Sequence, residues 1–121
     1  MSTILPRKLS HELANQLGIV ASYAELLLEE LGEANPYYRD IEAINQASHQ
    51  LIKLFAGVAS VEDVRPAARQ QYAERMAVLR GACTTLQANT SPDTQLAADV
   101  VEMIKAADAV ASLVPIRETR P

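Results

Sequence analysis

Leu9-Ser10-His11-Glu12-Leu13-Ala14-Asn15-Gln16-Leu17-Gly18, near the start of the chain, is the stretch whose reading decides the fold. At about 100° per residue, Leu9, Leu13, Leu17, Val20, Ala24, Leu27 and Leu31 line one side of a helix, and His11, Asn15, Gly18, Ser22, Glu25 and Glu29 lie nearly opposite. The pattern predicts an amphipathic helix whose histidine points away from the core. An outward imidazole on a rigid helix, with a carboxylate beside it at Glu12 and a carboxamide one turn on at Asn15, is a candidate reactive site.

Outward from this stretch, the chain punctuates itself into four helices. Pro6 suits a first helical turn, where its missing N–H costs nothing, and Gly32 is a stop signal. Asn35-Pro36 supplies an N-cap and a first-turn proline for a second helix, with a stripe of Tyr37, Ile41, Ile44, Ser48, Leu51, Phe55 and Val58. So short a connection makes the two helices antiparallel. Ile19, Tyr23 and Leu26 widen the first stripe beyond what one partner helix covers, so further helices are required. Pro66 opens a third through about Gln87, with Ala68, Tyr72, Met76, Leu79, Cys83 and Leu86 on one face. Pro92-Asp93 opens a fourth, with Leu96, Val100, Met103, Ala107, Val110 and Val114 inward, ending before Pro115. No period-two alternation marks a strand. The expected architecture is all-α: antiparallel helical hairpins at 6–60 and 66–114, four helices per chain, forming a four-helix-bundle core in a single domain over 1–121.

Composition agrees with that reading and narrows the function. Of 121 residues, 49% are apolar but only 4% aromatic, with no Trp, which is the material of a Leu/Ile/Val/Ala/Met helical core. A net charge of −4 and the lack of a basic stripe argue against a nucleic-acid surface. The single Cys83 allows no intrachain disulfide and no cysteine-based zinc site, and its place on the third stripe makes it a core filler. Met1 to Lys8 has no apolar segment of signal-peptide length, and no apolar run approaches the roughly 18 residues that span a bilayer, so a cytoplasmic protein without a membrane partner is expected. His49, at the edge of the second stripe with no matching acid and amide, reads as structural. His11, His49 and Glu12 lack metal-ligand spacing and a third convergent ligand, so neither a metal nor another cofactor is expected. Glu25, Glu29 and Glu30 read as a solvated face, and Tyr37-Tyr38 as packing for the first hairpin turn.

A neutral imidazole is a good nucleophile toward phosphorus, and its phosphoramidate can pass the group on to a carboxylate. On these residues the stretch from Leu9 to Leu17, continuing through Ala21-Ser22-Tyr23-Ala24-Glu25-Leu26-Leu27, resembles the H-box helix of the dimerisation and histidine-phosphotransfer domain of two-component sensor histidine kinases. Asp40-Ile41-Glu42-Ala43-Ile44 through Gln50-Leu51-Ile52-Lys53-Leu54-Phe55 resembles the helix that follows in that domain. The likeness covers roughly Lys8 to Ser60. By position it implies that His11 is the phosphoacceptor, that Glu12 is the adjacent acid acting as base, and that Asn15 is the polar residue associated with dephosphorylating a receiver. It also implies that two hairpins pair as a dimer, with a receiver domain docking beside the histidine.

Two departures shape the expectation. Gln16 stands where many members of that family have proline, and nothing after Ser60 resembles an ATP-binding domain. Self-phosphorylation from ATP is therefore not expected; the phosphoryl group comes from a separate histidine kinase or response-regulator receiver. The expected function is histidine phosphotransfer in two-component signalling. The alternatives are a non-catalytic dimerisation or regulatory bundle derived from a histidine kinase, and a receiver phosphatase cofactor acting through Asn15. The third and fourth helices either complete a monomeric bundle with the first two or extend a dimer. The broad stripes and the family resemblance favour a homodimer.

Overall fold

The four stripes become four helices: α1 (Leu9–Leu31), α2 (Tyr38–Leu54), α3 (Pro66–Asn89) and α4 (Gln95–Leu113), with one turn of 3-10 helix at Val61–Asp63 between α2 and α3. The computed structural model describes residues 8–115, and no strand occurs among them. Pro6 lies outside the described residues. Each helix packs against two neighbours, α1 on α2 and α4, α3 on α2 and α4, so the chain forms a closed ring of four around one core.

The inward positions are those the periodicity selects. Leu13, Leu17, Val20 and Ala24 of α1 meet Ile41, Ile44 and Leu51 of α2, Met76, Leu79 and Leu86 of α3, and Val100, Met103 and Val110 of α4 in one cluster, each almost wholly removed from water. Burying a Leu or Ile side chain contributes roughly 1.5–3 kcal/mol. Cys83 sits in the same cluster, and burial pushes its thiol up to about 11, with Asp108 adding to the rise. Ser48, the one polar residue in the second stripe, is fully buried and donates its hydroxyl to the Ile44 carbonyl at 2.8 Å. That bond to the preceding turn leaves the stripe unbroken.

Three details differ from the sequence reading. Ile19 and Leu26 do not widen the core stripe; they are 41% and 48% exposed, because α2 and α4 flank α1 and leave its outward side to solvent. The second helix begins at Tyr38 rather than Pro36, since Asn35 Oδ1 accepts from Tyr37 N at 2.8 Å and holds a turn there first. The fourth helix begins at Gln95, not at Pro92-Asp93, because Thr94 is its cap: the hydroxyl accepts from Ala97 N at 3.2 Å. The chain reverses at Gly32 and Gly57, whose φ values of 75° and 81° are conformations that glycine alone adopts without strain.

Both ends of the ring are tied. At one end Tyr72 inserts edge-on against Phe55, ring centroids 5.4 Å apart at 86°, and donates its hydroxyl to the Val114 carbonyl at 2.6 Å. Burial pushes that phenol up to about 12. At the other end Tyr37 donates to the Asn89 carbonyl at 2.8 Å, joining the α1–α2 turn to the end of α3. The tyrosine expected to pack the hairpin turn thus also bridges the two hairpins. The apolar stripes behind the expectation of a homodimer are covered within one chain, with α3 and α4 completing the bundle that α1 and α2 begin.

Candidate functional site

His11 lies in the first turn of α1, at the end of the bundle where α2 finishes and α3 starts. A helix start leaves four backbone N–H groups without intrahelical partners. Lys8, in the cap position, offers no side-chain bond, and the connection between α2 and α3 supplies acceptors instead. Leu9 N donates to the Ala59 carbonyl at 2.9 Å and Ser10 N to the Val58 carbonyl at 3.0 Å. His11 N and Glu12 N both donate to the Lys8 carbonyl, at 3.0 and 3.3 Å. Every orphan donor of the turn is satisfied, and the backbone beneath His11 is held by a second segment of chain. Leu9 and Leu13, buried on either side of it in sequence, fix the rotation of the helix so that the imidazole faces out.

The three residues singled out from the sequence occupy distinct positions. His11 and Asn15 are both exposed and, four residues apart, lie one above the other on the outer face of α1. Glu12 is half-buried and turned about 100° round the helix from His11, toward the flank. The fold therefore aligns the imidazole with the carboxamide and sets the carboxylate to one side. Gly18 lies one further turn along, and a Cβ placed there would meet nothing within 4 Å.

His49 has a different setting. It is exposed on α2 and its Nε2 donates to Glu25 Oε1 of α1 at 3.0 Å, a bridge between adjacent helices at the surface. Glu25 is thus part of an interhelical pair rather than only a solvated carboxylate. Helix periodicity placed Glu25 outward and His49 at the edge of the second stripe, but their pairing depends on the rotation and offset of α1 against α2, which no single-helix pattern reports.

The anchoring carbonyls at Val58 and Ala59 also escaped the sequence reading; Gly57 just before them was the available signal for a turn. Hollows of about 90 and 280 Å³ lie along α3 and α4, and neither is lined by His11, Glu12 or Asn15. The His11–Asn15 site is an open helix face, which a macromolecular partner can approach more readily than a small substrate can be enclosed. Among the described residues no group of three or more His, Cys, Asp and Glu is arranged to hold a metal ion, and no helix is long and apolar enough to cross a membrane.

Compared with family models, curated proteins and solved structures, the chain matches none.

Proposed function

We propose that this chain is a histidine phosphotransfer protein that relays a phosphoryl group between His11 and an aspartate of a response-regulator receiver domain. The observation that carries the reading is the exposed His11–Asn15 pair on a helical turn anchored at every backbone donor. In the forward step an imidazole nitrogen of His11 attacks the phosphorus of an aspartyl phosphate. The P–N bond forms as the P–O bond breaks, the aspartate leaves as a carboxylate, and the imidazole's N–H proton passes to a base, the role that the family resemblance gives to Glu12. The reverse sequence returns the group to a carboxylate. Asn15, one turn away on the same face, is placed to donate its amide to a phosphoryl oxygen or to hold a water. The resemblance of Leu9–Leu17 to the H-box helix of sensor histidine kinases supports the same assignment.

A second reading, a receiver phosphatase cofactor, draws on the exposure of Asn15. In it the amide orients water toward the receiver's own aspartyl phosphate and His11 carries nothing. One experiment separates the readings: the protein is incubated with receivers charged by acetyl phosphate, and with active histidine kinases. Acid-labile, base-stable label on the wild type, absent from His11→Ala, supports the relay. Faster receiver dephosphorylation that survives His11→Ala and fails in Asn15→Ala supports the cofactor. Neither label nor dephosphorylation across the panel favours the non-catalytic regulatory bundle.

A further inference from the structure

We infer that the α3–α4 hairpin occupies the place of a second copy of α1–α2, so that the chain is complete as a monomer and offers one reactive histidine to one partner at a time. The last clause rests on the relay reading; the monomer does not.

Three observations carry it. The inward faces of the first hairpin are already buried by the chain itself: Leu17, Ile44 and Leu51 are 0% exposed with no other molecule present. The ring also closes within one chain, α2 against α3 and α1 against α4, leaving no open side of the core for a second hairpin to enter. Among the described residues, the exposed large hydrophobic side chains are few and spread over several helices. Among the described residues these are Ile19 and Leu26 on α1, Val78 on α3 and Val101 on α4, split over three helices with none on α2. A stable dimer buries about 800 Å² per partner around an apolar centre, more than the two exposed side chains Ile19 and Leu26 of α1 supply by themselves.

The consequence for function lies in the sequence of the second hairpin. The chain has two histidines, His11 and His49, both on the first hairpin. The α3–α4 pair thus contributes core and no reactive imidazole. A dimer of two first hairpins would present two His11 faces per bundle; this bundle presents one. A phosphoryl donor and a phosphoryl acceptor must then use the same face of α1 in turn.

The test begins with the mass of the 121-residue chain by sedimentation equilibrium across the micromolar range. A single species at 13.2 kDa is expected; a species of twice that mass overturns the inference. Co-expressed tagged and untagged copies check the same point, and retention of the untagged copy overturns it. The complex with a receiver that exchanges phosphoryl groups with the protein is expected to have the mass of one chain plus one receiver, and a complex that holds two chains contradicts it. If no receiver in a panel exchanges, the relay reading fails while the mass measurement still decides the monomer.

Discussion

The two hairpins have nearly the same inside and quite different outsides. Both bury one apolar stripe per helix in the same cluster, and each gives a tyrosine hydroxyl to a backbone carbonyl, Tyr37 to Asn89 of the other hairpin and Tyr72 to Val114 within its own. On the outside, α3–α4 carries an ordinary surface pair, Arg80 to Asp108 at 2.8 Å. The face of α1 carries an exposed imidazole and carboxamide in register, on a turn held by Val58 and Ala59. The lesson is that core patterning makes the bundle and says little about function, whereas the outward His11–Asn15 row is the chemistry on which the proposed function rests.

That contrast is broken most severely by removing the imidazole. His11→Ala is expected to abolish phosphoryl transfer completely while leaving thermal unfolding within about 0.5 kcal/mol of wild type, because the side chain is exposed. Two turns along the same helix, Leu17→Ala opens a cavity at a position of 0% exposure and should cost about 2–5 kcal/mol in denaturant unfolding. Ile19→Ala, at 41% exposure, should cost far less. Equal losses at the two positions would mean that α1 is rotated from the orientation described.

Alkaline pH acts on two groups of the inside. Cys83 and Tyr72 are held neutral by burial, with folded values of about 11 and about 12 against ordinary values of 9.0 and 10.0. The unfolded chain ionises first, so the stability these groups contribute is complete below about pH 9 and falls as pH rises through the folded values. Cys83→Ala should remove the earlier part of that fall, and Tyr72→Phe the later part, in melting temperatures measured from pH 8 to pH 12.

Smaller effects sharpen the outer face. Gly18→Ala, where a Cβ meets nothing, should stabilise α1 by roughly 0.5–1 kcal/mol. Glu25→Gln removes an exposed pair with His49 and should cost less than about 1 kcal/mol, with the cost shrinking as salt is added.

Much of this was legible in the chain. The four stripes, the antiparallel order and the outward direction of His11 and Asn15 follow from a 3.6-residue period and from Gly32, Asn35, Pro66 and Pro115. The Thr94 cap was missed because Pro92-Asp93 offered a competing start just before it. The Glu25–His49 pair, the Tyr72 lock and the Val58 and Ala59 anchors depend on how elements far apart in sequence meet. For the same reason the outward position of Ile19 and Leu26 followed from where α4 lies, which the α1 pattern alone does not specify.

The most direct measurement compares the two histidines of the first hairpin. Wild type, His11→Ala and His49→Ala are each incubated with acetyl-phosphate-charged receivers, and the acid-labile phosphoryl group is located by peptide mass spectrometry under alkaline conditions. The relay account expects label on His11 in wild type and in His49→Ala, and none in His11→Ala. Label that persists in His11→Ala, or that resides on His49, would contradict it.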